Sequence, residues 1–209
     1  MSETGNRNTS LVGRPAPQFM AHSTRGIVDL AAYEGSWVLL FCHPADFTPV
    51  CTTEFISLAE HKQTFDALGV ELLGLSVDSI YSHLNWIDWI EEHFAQKITF
   101  PVIEDSSMDI AKAYSMIDET SINTSTVRSC VFIDPNQTVQ ALIHYPMQVG
   151  RSIPELLRVQ QALIATFEVE EAVPANWSPG EKTIETPLDL MLERPSGWLK
   201  RILKAQAAE

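Results

Sequence analysis

The chain has 209 residues, is 45% hydrophobic and 20% charged, and carries a formal net charge of −13. That is the make-up of a folded globular protein, long enough for one large domain or a domain with an appendage. The acidic balance argues against nucleic acid and anionic membrane surfaces as main partners, because both are polyanions.

The first stretch, MSETGNRNTS (1–10), is polar and lacks the apolar core of a signal peptide, so a flexible tail is expected there. WVLLFC (37–42) is a continuous apolar run, as in a fully buried strand, and far too short to cross a bilayer. A helical period begins at Thr48. Phe55, Leu58, Ala59, Phe65 and Leu68 share a face, and Gly69 is placed to stop the helix. VELLGLSV (70–77) is a second buried strand, and 80–95 reads as a helix carrying Leu84, Ile87 and Phe94. TFPVIED is a short extended piece that Pro101 should keep near a sheet edge, and SMDIAKAY is a short helix. TVRSCVFID and TVQALIHY are strands joined at DPNQ, a plausible hairpin turn. Residues 152–167 form a long helix with Ser152 as cap and Pro154 in the first turn.

Alternating βα units followed by a hairpin and a helix imply an α/β fold. The expected form is thioredoxin-like, a mixed central sheet flanked by helices, spanning 11–168. After about residue 169 the chain is rich in Pro and Glu, so 169–209 is expected to be an extension arm ending in a short amphipathic helix, SGWLKRILKAQAAE.

The chemistry concentrates in HPADFTPVCTTEF (43–55). With Thr48 as N-cap, Pro49 falls at N1 and Cys51 at N3, where a capping box holds an acceptor. The free first-turn N–H groups and the helix dipole favour thiolate over thiol there. Spacing alone leaves two readings open: a reactive thiolate, or a small buried hydrophobe.

P-x-x-x-T-x-x-C, here Pro44, Thr48 and Cys51, resembles the active-site signature of the peroxiredoxins, and HPADFTPVCTTEF is especially similar to the one-cysteine, peroxiredoxin-6-like branch. The likeness runs over 11–209 and includes LLGLSVDS, FPVIED, VRSCVFIDP and YPMQVGRSIPELLRV. The resemblance implies a thiol peroxidase without metal or cofactor. Cys51 would be the peroxidatic cysteine, attacking hydrogen peroxide or an organic hydroperoxide and passing through sulfenic acid. Arg128 would lie beside the sulfur and hold the peroxide, Thr48 would hydrogen-bond it, and Pro44 would shield the thiolate. His43 would sit close to the sulfur, with Glu54 and Arg151 orienting Arg128. A homodimer is implied, with a decamer as the larger assembly.

Two-cysteine relatives carry a resolving cysteine near VCPA. Here the matching stretch is AVPANW, with Val173 in that place, so an external thiol of the glutathione or thioredoxin type is expected to reduce Cys51. The alternative is resolution by Cys42 or Cys130. Three cysteines, an odd and sparse set, and the polar N-terminus point to a cytoplasmic protein with reduced thiols. A lipase elbow cannot be read around Ser36, because Glu34 and Val38 occupy the glycine places. Three other readings stand beside the peroxidase. A thiol–disulfide oxidoreductase lacks its Cys-x-x-Cys. A metal site of Cys42, His43 and Cys51 lacks compact spacing. The third is a non-enzymatic holdase. His22, His61, His83, His93 and His144 are expected on surfaces or in packing, and Trp86 and Trp89 in helix packing.

Overall fold

The computed structural model describes residues 10–117, 126–169 and 171–185. All but Ser10 of the expected tail, and the expected helix at 196–209, lie outside the described residues. The chain divides into two compact units, Met1–Ile153 and Pro154–Glu209.

The first unit is built on a seven-stranded sheet. Its strands are β1 (Met20–Ser23), β2 (Gly26–Asp29), β3 (Trp37–Cys42), β4 (Val70–Ser76), β5 (Val102–Glu104), β6 (Arg128–Ile133) and β7 (Val139–Tyr145). The order is β2-β1-β5-β4-β3-β6-β7. β3, β4 and β5 run parallel, while β6 and β7 are antiparallel additions. That mixed core is the thioredoxin-like arrangement the element order implies. The helices of this unit are α1 (Pro49–Glu60), α2 (Lys62–Ala67), α3 (Ile80–Phe94) and α4 (Asp109–Ala113).

Alternation along the strands assigns side chains to two faces. Val38, Leu40 and Cys42 of β3 join Leu73, Leu75, Ile103, Val131 and Ile133 in one buried cluster, closed by Leu30 and by Ile110 and Ala111 of α4. Phe41 meets Phe55 of α1 at 5.7 Å between ring centroids and Phe100 at 5.6 Å. Gly74 leaves room there: a Cβ would lie 3.3 Å from the Phe41 ring, which would have to shift by a few tenths of an ångström. Cys130 pairs with Phe41 across the antiparallel ladder, and Arg128 sits two residues earlier on the same face. The strand period therefore turns Arg128 toward the face where α1 packs. Phe55 also lies 4.5 Å from Trp86 and 4.8 Å from His43. Truncating it in Phe55→Ala should cost about 3–5 kcal/mol, read as a lowered urea midpoint.

Three expectations are corrected. The TFPVIED strand is interior, because a hairpin of β1 and β2, turning through Thr24 and Arg25 into Gly26 (φ 98°), pairs with its outer side through Ser23 and Ile103. Pro101 precedes β5 and so takes no donor from its ladder. The long helical period from Thr48 is two helices, broken at His61. The buried face of α3 is His83, Trp86 and Ile90, while Leu84 and Phe94 are exposed.

The second unit holds all but the first residue of α5 (Ile153–Ala165) and a two-residue pairing of β8 (Glu171–Ala172) with β9 (Ile184–Glu185). Within it Arg158 bonds Glu155 and donates to the Trp177 carbonyl at 3.3 Å. No described helix is long and apolar enough to cross a membrane.

Candidate active site

β3 ends at Cys42, and the loop His43–Thr48 carries the chain from sheet to helix. Thr48 is the N-cap of α1 with extended backbone (φ −97°, ψ 145°), and Pro49 follows in the first turn, as the spacing implies. The Thr48 hydroxyl does not cap the helix. It donates to the Ala45 carbonyl at 2.9 Å, because the tight loop brings that acceptor within reach. The first turn is left without a side-chain cap. Phe47, a bulky residue, holds φ 56°, a strained value of the kind that costs about 1–3 kcal/mol.

Cys51 is fully buried in that first turn. Arg128 Nη1 lies 3.2 Å from its Sγ and 2.7 Å from Glu54 Oε2. Arg128 Nε donates to the Met147 carbonyl at 2.9 Å, which fixes the plane of the guanidinium. Arg151 grips Glu54 from the other side, Nε to Oε1 at 2.9 Å and Nη2 to Oε2 at 2.7 Å. Its backbone N–H adds a bond to Oε1 at 2.8 Å. Arg151 Nη1 donates to the carbonyls of Cys42 and Ser129, and the guanidinium stands 5.3 Å over the Phe41 ring. Burial alone raises the Glu54 carboxyl. Hydrogen bonds and charge from Arg151, with the charge of Arg128, outweigh it and hold the group below the usual carboxylate range. Two guanidiniums and one carboxylate sum to one positive charge in a water-poor site, and an anionic sulfur would complete the balance.

The structure thus brings Cys51, Arg128, Glu54 and Arg151 into one bonded group, with buried Pro44 and half-buried Thr48 on the loop beside them. His43 bonds to the loop itself. Its Nε2 lies 2.8 Å from Asp46 Oδ1, and its buried Nδ1 has no hydrogen-bond partner. Burial pushes the His43 ring toward the neutral form.

Cys42 and Cys130 are free and fully buried. Cys42 Sγ donates to the Val127 carbonyl. Burial raises both thiols, Cys130 to about 11, which makes them poor nucleophiles. Among the described residues, the converging set of ligand-type side chains is His43, Asp46 and His83, so Cys42, His43 and Cys51 do not form the compact group considered from sequence.

Sequence reasoning missed Asp46, His83 and the Met147 carbonyl. A carbonyl has no sequence signal. His83 has one: with Trp86 and Ile90 it makes an i, i+3, i+7 row of buried α3 residues.

The AhpC/TSA family model matches residues 12–142. The chain is a member of the peroxiredoxin family. Peroxiredoxin 2 of Thermoplasma acidophilum is 50% identical over 186 residues, covering 88% of this chain and 92% of that one. The Aquifex aeolicus peroxiredoxin is 45% identical over 175 residues, covering 83% and 79%. Among solved structures, the reduced 2-Cys peroxiredoxin of Plasmodium vivax aligns with TM-score 0.77 at 34% identity, over 84% of this chain and 93% of the other. The Arenicola marina peroxiredoxin 6, as a cysteine-to-serine mutant, aligns with TM-score 0.77 at 33% identity, over 84% and 83%. A yeast mitochondrial 1-Cys peroxiredoxin, resolved via glutathione and thioredoxin systems, aligns with TM-score 0.77 at 38% identity, over 86% and 87%. This peroxiredoxin is accordingly a thiol peroxidase, an oxidoreductase with peroxide as substrate and a thiol as reductant.

Proposed function

We propose that Cys51 is the peroxidatic cysteine of a one-cysteine cycle. The observation that carries this is Arg128 Nη1 at 3.2 Å from a sulfur held in the first turn of α1. The Cys51 thiolate attacks one oxygen of the hydroperoxide. An S–O bond forms, the O–O bond breaks, and the leaving oxygen takes a proton and departs as water or alcohol, leaving sulfenic acid. Arg128 stabilises the charge that builds on the oxygens, and a donor so placed is worth about 10²–10³ in rate. Glu54 and Arg151 hold Arg128 in position, Pro44 keeps water from the sulfur, and Thr48 takes a hydrogen bond from the substrate. His43 packs against Phe55 and Trp86 beside the loop and supports it through Asp46.

An external thiol returns Cys51 to the reduced state. The raised, buried thiols of Cys42 and Cys130 favour this over internal resolution. Three free cysteines suit a reducing cytoplasmic setting. The 11–168 body with its 169–209 arm suits assembly as a homodimer, with a decamer the larger form.

Reduced protein treated with one equivalent of hydrogen peroxide and trapped with dimedone should carry the adduct on Cys51 alone by peptide mass spectrometry. A Cys51–Cys42 or Cys51–Cys130 disulfide would replace the one-cysteine cycle with internal resolution. An untouched Cys51 in folded protein would remove the assignment.

A further inference from the structure

Outside the Cys51 cluster, the described residues hold a second buried polar group, Asp46 with its two histidines. Asp46 lies in the loop that carries Pro44 and Thr48, and it is anchored three ways. Its Oδ1 meets His43 Nε2 and its Oδ2 meets His83 Nδ1, each at 2.8 Å. Its backbone N–H donates to Asp78 Oδ2 at 2.9 Å, and Ser76 Oγ donates to that same oxygen at 3.0 Å. His43 and His83 are both fully buried.

The bonding of His83 decides the proton count. Its Nδ1 faces the Asp46 carboxylate and its Nε2 faces the Ile103 carbonyl at 3.3 Å. Both partners are oxygen acceptors, yet a neutral imidazole has one N–H. The two bonds coexist only if the His83–Asp46 pair holds one proton more than a neutral ring and a bare carboxylate. That proton also cancels a buried negative charge, which would otherwise be costly. It belongs on His83. Burial raises Asp46, but the hydrogen bonds from His43 and His83 outweigh it and hold the carboxyl well below its ordinary range. His43 is kept neutral by burial, with its one proton on the Nε2 facing Asp46.

The other surroundings of His83 supply no competing proton. The ring of His43 stands 6.0 Å away, and Trp86 Nε1 donates to the Thr52 hydroxyl on α1. Beyond β5, Asp105 turns its carboxylate to the Ile110 and Ala111 N–H groups. Asp78 reaches the pair only through the Asp46 backbone, and the Arg151 charge acts on His43.

We propose that His83 is a positioning residue for the peroxide reaction: as an imidazolium it clamps Asp46, and so holds the His43–Thr48 loop against α3 with Pro44 and Thr48 in place over Cys51. This rests on the assignment of Cys51 as the peroxidatic sulfur. The clamp offsets the strain at Phe47, the residue after Asp46, whose φ of 56° would otherwise relax. Without the clamp the Asp46 carboxylate is left buried with one partner fewer, and the loop loosens.

The test uses full-length wild type, His83→Gln and His83→Leu. Stopped-flow rates of Cys51 oxidation by hydrogen peroxide are measured for all three proteins. Nitrogen-detected NMR of labelled histidine reads ring protonation in the wild type. Expected are a His83 ring with both nitrogens protonated and a His43 ring protonated only at Nε2. His83→Leu should lose about ten- to a hundredfold, the scale of a small misplacement of reacting groups. His83→Gln keeps one donor toward Asp46, so it should be faster than the leucine variant. A singly protonated His83 ring overturns the proposal even if both variants fail to fold. A His83→Leu rate equal to that of the wild type also overturns it, while sulfenic acid on wild-type Cys51 leaves the peroxidatic assignment standing. Absence of that sulfenic acid overturns both.

Discussion

Cys51→Ser protein should reduce hydrogen peroxide no faster than buffer, a loss on the order of 10⁴-fold or more, the scale seen when a catalytic nucleophile is removed. A hydroxyl in the first turn of α1 keeps the size and the hydrogen-bond partners of the thiol. It is not ionised near neutral pH, and Glu54, the carboxylate that shares Arg128 with the sulfur, is occupied by both guanidiniums. Far-ultraviolet circular dichroism should show an unchanged fold. Cys42→Ala and Cys130→Ala, replacing buried thiols that face carbonyl or guanidinium groups, should keep turnover with an external thiol. Peroxide consumption followed directly, without a coupling enzyme, distinguishes these cases. Turnover by Cys51→Ser would place the chemistry on another residue.

Glu54→Gln should destabilise the protein by about 3–5 kcal/mol, because it removes the one anion that two buried guanidiniums share. Glutamine keeps an acceptor for one of them, but it offers no charge, and its amide turns a donor toward a donor. The peroxide reaction should slow as well, since Arg128 loses the bond that aims it at the sulfur. The pH dependence follows with a definite sign. The folded Glu54 carboxyl lies below its ordinary value of 4.5. Its contribution is therefore complete above that ordinary value and is lost as pH falls toward the folded one. Asp46, also depressed, acts in the same direction. Urea midpoints of the wild type should drop through the acidic range, and those of Glu54→Gln should drop less steeply. Parallel acid profiles would mean that Glu54 is not the ionised hub described above.

The elements nearest the chemistry were the most legible in the sequence. WVLLFC had to be a buried strand, and Thr48, Pro49 and Cys51 marked a helix start, because both signals are local. The grouping of Glu54, Arg128 and Arg151 came from the family resemblance. No spacing rule joins residues 74 and 97 positions apart, and only the antiparallel register of β3 and β6 brings Arg128 to α1. The role of His83 was hidden for a different reason. Leu84, Ile87 and Phe94 made an apolar row, but the buried face carries His83, Trp86 and Ile90 instead, with His83 turned to a buried carboxylate on the loop before α1. The N-terminal hairpin escaped notice because its strands are four residues each and half exposed, with Met20 and Ile27 in solvent. Without it, β5 looks like an edge.

The Thr48 hydroxyl has a single hydrogen, and the Ala45 carbonyl already holds it. Toward anything arriving at Cys51, this side chain offers lone pairs alone. Arg128, across the sulfur, offers protons alone. A guest between them must be bipolar: one oxygen able to accept, the other carrying its own hydrogen. A neutral hydroperoxide meets both demands, whereas a deprotonated alkyl peroxide has no hydrogen left to give and turns a lone pair toward a lone pair at Thr48. The threonine in the proposed site would thus favour guests that bring an O–H of their own.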